Sequence, residues 1–549
     1  MKNLKICMIA LALCGVVSSC QDEIDVVNPN EPTTETLKDE KGFVKFAQGG
    51  IYINGFVDIK GDGFADGVLG AFWANGLEDI MADNIGAEAA NVFMNQIGAP
   101  LTVKLDNNTN VGNPNAPARQ PAMLTQNNLN ANAGQNPLFY EWAYMYALNR
   151  VCNFILKNVD NVKFTGDAAT KINTLKAWSY WWKGFAYSRI GSLYYAGVIV
   201  DDPDKTNGDY KSHDQILAEA EKNFAAAESI LNSLSQNEAY NDVMGRVIPD
   251  FAQVGKGGVL SPAMWIRNIN TYRARNILAN KKVSAMTASD WDAVLTYANN
   301  GITASDKVFT LRSNANADIL SPLAGTVAAK ATGNPSTGTY KISERLVQSF
   351  QAGDKRKANN FDLLATPWIG NVDRGNSFNT RWAMVDGGHG MPGVITYSST
   401  DAGASELFMA GSYEENQLMK AEANIYKNNI PAALTLIDEV RSYQGAGLAA
   451  LSGNTLTQAE AVKQLRSERR VALLWRNVAF IDARRFGIID PLASGGGLTG
   501  AVVVDRNGVV NTNATIDYTF MDYWHVPDNE LVYNAPTAGS APVLNPNNN

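Results

Sequence analysis

The residues of this chain best suited to chemistry are aromatic, and the chemistry they suit is capture without reaction. A sugar ring is held by flat aromatic faces against its apolar C–H side, with amides and carboxylates satisfying its hydroxyls; tryptophan offers the largest platform. Of the eleven tryptophans, seven (Trp142, Trp178, Trp181, Trp182, Trp265, Trp291 and Trp475) lie in stretches of helical apolar spacing, where core packing is the expected role. Trp524 belongs to a terminal element, which leaves Trp73, Trp368 and Trp382 in irregular segments. Trp73 sits beside Asn75, Glu78, Asp79 and Asn84, while Trp368 and Trp382 flank Asn371, Asp373, Arg374 and Asn376. The candidate ligand contacts are therefore Trp73, Asp79, Asn84, Trp368, Asp373 and Trp382. The competing expectation is that these side chains cap the scaffold.

Reactive chemistry is poorly supplied. Three histidines (His213, His389 and His525) and four cysteines exclude a dense His or Cys metal cluster. The run from Asp58 through Asp62, Gly63 and Asp66 imitates a calcium loop, but Lys60 and Leu69 stand where oxygen ligands are needed, so no metal is expected. Gly387-Gly388-His389-Gly390 reads as a loop with one histidine. Nucleophile elbows, phosphate loops and dinucleotide fingerprints are absent from the sequence. Carboxylates are numerous, yet nothing isolates a pair for glycoside hydrolysis. The expectation is a non-enzyme without cofactors.

The amino terminus points to a compartment. Lys2 and Lys5 precede an apolar stretch, Ile6 to Val17, which is short for a membrane span of roughly 20 residues and suits a signal peptide. Val17-Ser18-Ser19-Cys20 resembles a bacterial lipobox. Residues 1–19 would then be a leader, Cys20 a diacylated terminus and residues 20–40 a tether. Gln21-Asp22-Glu23 resembles the surface-export signal of Bacteroidetes lipoproteins. With Cys7 and Cys14 removed and Cys20 lipidated, Cys152 is the remaining thiol, set among apolar helical residues as a buried inert group. Lys and Arg number 46 against 54 Asp and Glu, for a net charge of −8 with no basic block downstream of the leader, which argues against nucleic acid as a partner.

The elements that must position the candidate residues are mainly helices. Apolar residues recur at three- and four-residue steps over about 138–157, where Phe139, Trp142, Tyr146 and Phe154 form one face. Further helices are predicted at about 168–190, 213–232, 262–279, 289–299, 412–426, 430–443 and 457–476. Strand-like alternation is sparse. Val502 to Val504 and Val509 to Val510 flank Asp505-Arg506-Asn507-Gly508, a hairpin candidate because Asn-Gly readily adopts positive φ. Tyr180, Gly184 and Tyr187, with Ala421, Ala433, Ile437 and Val440, match small and aromatic places of a tetratricopeptide pattern. The fold class expected is mostly α: a tetratricopeptide-like helix-pair scaffold with long irregular loops and a few short β-hairpins. Insertions rich in Asn, Gly, Pro, Ala and Ser fall at about 106–137, 313–405 and 494–516, and long loops of this kind are usually functional.

Ser467-Glu468-Arg469-Arg470, the apolar run to Trp475-Arg476-Asn477, and Phe480-Ile481-Asp482-Ala483-Arg484-Arg485-Phe486-Gly487 together resemble the late signature of SusD/RagB nutrient-binding lipoproteins. Glu415 to Arg441 resembles that family's Ala-Glu-Ala helix and the helix after it. Trp524-His525-Val526-Pro527-Asp528-Asn529-Glu530 and Asn545-Pro546-Asn547 resemble its terminal elements, and Ala177 to Pro203 its early aromatic helix. Read from the residues alone, Glu468 with Arg484 or Arg485 is a helix-bridging ion pair that fixes packing.

The resemblance implies a single SusD-like domain over 41–549, lipid-anchored at the outer-membrane surface. It also implies partnership with a SusC-like TonB-dependent transporter and capture of oligosaccharide for uptake. Three alternatives stay open: a peptide-binding lid of the same kind of transporter, a secreted glycoside hydrolase, and a helical scaffold that binds only protein.

Overall fold

The computed structural model describes residues 36–51, 78–88, 96–112, 120–253, 255–312, 340–370, 379–399 and 406–546. Its main helices are α1 (Glu40–Ile51), α2 (Pro137–Asn158), α3 (Ala168–Leu193), α4 (His213–Leu231), α5 (Glu238–Val247), α6 (Pro262–Ala279), α7 (Ala288–Asn299), α8 (Tyr413–Tyr426), α9 (Ile430–Tyr443), α10 (Gln458–Ala472) and α11 (Ala479–Arg485). The apolar periodicity locates most of them to within a few residues. Local chemistry fixes their starts: Ser212 with Gln215, Thr287 with Asp290 and Thr457 with Glu460 form reciprocal capping boxes. Each such cap stabilises a helix by about 1 kcal/mol. No described helix is long and apolar enough to cross a membrane.

The helices stack as neighbours, α2 on α3, α3 on α4, α4 on α6, then α6 on α7, α7 on α8, and α8 on both α9 and α10. This is the tetratricopeptide-like scaffold expected, and its logic is visible at Gly184. A Cβ placed there would lie 2.5 Å from the Phe224 ring, so the lack of a side chain is what lets α3 and α4 approach. Helix α3 is the centre of the molecule, with every residue from Trp181 to Leu193 buried, as a helix packed on all sides must be. Trp181 meets Trp182 at 4.9 Å, Trp265 at 5.0 Å and Phe309 at 5.0 Å between ring centroids. All seven tryptophans at positions of helical spacing, six of them in helices and Trp475 just past the end of α10, are buried, as is Trp524. Cys152 is buried and unpaired, and burial pushes its thiol up to about 12.

Short strands close the scaffold. The expected hairpin forms as β7 (Leu498–Val504) and β8 (Val510–Asp517), with Val504 opposite Val510 and Gly508 at φ +77°. It extends across the sheet to β2 (Thr102–Lys104) and β3 (Asn110–Gly112), giving the order β7-β8-β2-β3. β1 (Ile85–Ala87) pairs with β4 (Tyr340–Ile342), and β5 (Phe361–Trp368) with β6 (Thr380–Met384).

Three expectations change. Among the described residues, the insertions at 106–137 and 313–405 hold regular elements: β3, β4, the helices Gln120–Asn127 and Lys355–Asn360, and the β5–β6 ribbon. Three-residue strands carry too little alternation to be seen, and β5 contains Pro367 where the ladder register shifts between Leu363 and Trp368. The helix expected to reach 476 stops at Ala472, because Trp475 and Asn477 take positive φ of 55° and 60°. Helix α5 was not anticipated from the apolar spacing.

The ion-pair expectation also changes in its partners. Glu468 accepts from Arg356 Nη1 at 2.6 Å and from Arg441 Nε at 2.9 Å. Arg485 instead grips both oxygens of Glu422 at 2.6 Å and Asp482 at 2.8 Å. Arg484 donates to the carbonyls of Ser192, Asp522 and Ala279. The role of tying helices together holds; the residues tied are others, 112 positions apart in one case.

Candidate functional site

The β5–β6 ribbon carries the described tryptophans outside the core. Trp382 stands opposite Leu363, and Trp368 opposite Thr380 beyond the register shift. Both rings are half-buried. Each has a lysine ammonium over one face: Lys341 Nζ lies 5.0 Å from the Trp368 centroid and Lys357 Nζ 4.6 Å from that of Trp382. Such contacts contribute about 0.5–2 kcal/mol each. They also restrict each ring to its opposite face for stacking on a ligand. Lys341 is buried on β4, and burial pushes its ammonium down to about 8.

The ribbon is held rigidly from below. Asn379 accepts from the Gly370 N–H at 2.9 Å and donates to the Val504 carbonyl at 3.1 Å, which joins the ribbon to the β7–β8 hairpin. Arg381 donates to both oxygens of Glu344, at 3.1 and 2.8 Å. On the outer surface Leu363 is 62% exposed, and Asp362 pairs with His389 Nε2 at 2.9 Å. An aromatic, cationic and aliphatic surface on a rigid ribbon can stack and hydrogen-bond to a ligand. Among the described residues, no cluster of three or more His, Cys, Asp or Glu is disposed to hold a metal ion.

Asp79 and Asn84 lie inside the fold, 1% and 2% exposed, and bind each other through Asn84 Nδ2 and Asp79 Oδ1 at 2.8 Å. Burial pushes the Asp79 carboxyl up to about 8, partly offset by Asn84 and by the Trp475 backbone N–H. Their segment leads directly into β1, which pairs with β4 through Gly86 and Lys341. β4 in turn packs on β6. The two sequence neighbourhoods, 79–84 and 368–382, are thus brought to one side of the molecule, with Asp79 and Asn84 beneath the surface and the tryptophans on it. Trp73, Asp373 and Cys20 lie outside the described residues.

Sequence reading missed a cleft of about 620 Å³ between α2, the loop 198–207 and the helix Asp528–Tyr533. Its lining includes Tyr146, Asn149, Arg150, Asn207, Glu530 and Tyr533, a mixture of aromatic rings and amides. Its only local signal was the exposed aromatic Tyr533 in a polar terminal stretch. The walls come from segments nearly 400 residues apart, which no local pattern connects.

A model of the SusD family matches residues 413–541. Among curated proteins nothing matches the chain. Among solved structures, the fold is similar to surface glycan-binding protein A from Bacteroides uniformis, at 15% identity and a TM-score of 0.52, covering 93% of this chain and 100% of that one. It is also similar to a SusD-like carbohydrate binding protein from Bacteroides fragilis, at 14% identity and a TM-score of 0.51, covering 84% of this chain and 99% of that one. A third is B. fragilis NanU, at 12% identity and a TM-score of 0.52, covering 84% and 92% respectively. At these identities the structures speak to the fold alone.

Proposed function

We infer that this chain, a SusD/RagB family protein by its match over residues 413–541 and by its fold, is a cell-surface glycan-binding lipoprotein. It acts with a SusC-like TonB-dependent transporter, capturing oligosaccharide for uptake, and makes or breaks no bond. Residues 1–19 serve as the signal peptide, Cys20 carries the lipid, and residues 20–40 tether a single domain over 41–549. The ligand contacts are drawn from Trp73, Asp373, Trp368 and Trp382, with Asp79 and Asn84 supporting the ribbon tryptophans from within.

The observation that carries the glycan reading is the β5–β6 ribbon, which presents two half-buried tryptophans, each backed by a lysine, on one short antiparallel pair. Stacking on the open face of each ring suits the apolar face of a sugar, while the lysine behind it fixes the ring. Two structures of similar fold, a surface glycan-binding protein and a SusD-like carbohydrate binding protein, support the same class of ligand. Isothermal titration of the purified mature protein against a panel of neutral and acidic oligosaccharides tests it. Saturable binding with no hydrolysis products is expected; heat signals absent for every oligosaccharide would remove the reading.

A further inference from the structure

A second cavity, of about 220 Å³, opens between α10, α11 and the segment Ala82–Asn84, and neither ribbon tryptophan lines it. Its polar wall is built from three guanidinium groups, those of Arg466, Arg469 and Arg470. α10 places them within five positions, so that they share one side of the helix end. Each of these arginines carries a buried N–H without an acceptor among the described residues: Arg466 Nε, Arg469 Nη1 and Arg470 Nε. Arg469 itself is 4% exposed.

The charges around this wall do not balance. Arg469 and Arg485 share Asp482, and Arg485 also holds Glu422, so these four groups neutralise one another. Asp83 is taken by Arg345 at 2.6 Å. Arg470 donates to the backbone carbonyls of Ala82 and Asp83, and Arg466 stacks on Phe486 with its guanidinium carbon 4.4 Å from the ring centroid. Neither makes an ion-pair contact with a carboxylate among the described residues: Arg470 shares the field of Asp83 with Arg345, and Arg466 meets the Tyr426 hydroxyl, so positive charge is in excess around the space. Burying a charge without a partner is costly, and a bound anion relieves that cost. The remaining walls are apolar, from Leu473, Val478, Ala479 and Leu498, except for the Asp482 carboxylate, whose charge Arg469 and Arg485 already take up. Asn84, Ser349 and Ser467 add hydrogen-bonding groups. At about 30 Å³ per water, the cavity holds a molecule of several non-hydrogen atoms and no polymer.

We propose that this cavity binds a small organic carboxylate with a short apolar body, its carboxylate on the Arg466 and Arg470 guanidinium groups and its chain against Leu473 and Val478. Planar guanidinium forks match a carboxylate in two parallel hydrogen bonds, and the apolar walls favour a hydrocarbon body over a bare inorganic ion. The cavity shares Asn84 with the residues beneath the ribbon, and the readouts keep the two apart: titration with butyrate reports on this cavity and titration with oligosaccharide on the ribbon.

Titration calorimetry of the mature wild-type protein with butyrate, acetate and inorganic phosphate, at matched ionic strength in chloride, tests the assignment. Butyrate is expected to bind saturably and tighter than acetate, with phosphate weaker than butyrate. Arg466→Gln, at a half-exposed position, should weaken butyrate at least tenfold while leaving the circular dichroism spectrum unchanged. Ala479→Leu keeps every charge but fills the cavity, and should also abolish binding. No saturable butyrate binding to the wild type overturns the proposal. So does phosphate binding tighter than butyrate, or butyrate binding unchanged in both variants.

Discussion

Arg356 Nη1 donates to Glu468 Oε1 at 2.6 Å across 112 residues of sequence, with both side chains no more than 2% exposed. The same carboxylate accepts from Arg441 Nε at 2.9 Å, so one glutamate on α10 holds a short helix of the 353–370 region and the end of α9 in place. Removing Glu468 strands two buried guanidinium groups, one of which, Arg356, keeps only Asp354 as an anion. Glu468→Gln should therefore lower the unfolding free energy by about 3–5 kcal/mol, the usual cost of leaving a buried charge unpaired. Urea denaturation followed by tryptophan fluorescence reads it; a loss below about 1 kcal/mol would contradict the account.

Asp79 predicts a pH dependence. Burial raises its carboxyl from the ordinary 3.8 to about 8, so between these values the folded protein keeps a proton that the unfolded chain has released. Its contribution to stability is then greatest below the unfolded value and falls as pH rises through the window, by up to about 1.4 kcal/mol per pH unit. Asp79→Asn, which stays neutral, should melt higher than the wild type at pH 8.5 and show less difference at pH 5. Equal pH profiles for the two proteins would show that Asp79 does not hold this proton.

At the α3–α4 contact, a methyl group at position 184 would meet the Phe224 ring at 2.5 Å. Gly184→Ala gains about 1 kcal/mol of helix propensity, yet the overpacking costs about 1–3 kcal/mol. The expected net effect is destabilisation, reversed in part by Phe224→Leu in the double variant. A double-mutant cycle by thermal melting measures the coupling, which should be at least about 0.5 kcal/mol.

For the ribbon, Trp368→Ala and Trp382→Ala should each weaken oligosaccharide binding about tenfold, with the far-ultraviolet circular dichroism preserved. Stacking on an aromatic platform contributes on the order of 1 kcal/mol or more, which is this size. Unchanged affinity in both variants would move the ligand site elsewhere, with the cleft lined by Tyr146 and Tyr533 as the next surface to mutate.

For the anchor, Cys20→Ala should shift the protein from the membrane fraction to the soluble one, since the burial of acyl chains contributes about 0.8 kcal/mol per methylene. Mass spectrometry of the wild-type amino-terminal peptide should show the acyl mass on Cys20. An unmodified peptide beginning upstream of residue 20 sinks this prediction.

The sequence by itself determined the helical scaffold and what lies inside it. Apolar residues at three- and four-residue steps state which face of a helix leaves water, and Ser212, Thr287 and Thr457 state where helices begin; both are local facts that folding cannot overrule cheaply. For the same reason the seven tryptophans at helical spacing could be assigned to the core and Asn507-Gly508 to a turn. Only the tertiary structure decided which arginine meets Glu468, that Asp79 and Asn84 lie below the surface, and that Lys341 and Lys357 sit on the two ribbon tryptophans. A charge or an aromatic face can be satisfied by any complementary group that chain closure delivers. The choice among them is made where separate elements meet, 112 residues apart for Arg356 and Glu468 and 25 to 27 for the ribbon lysines, beyond the reach of any local periodicity.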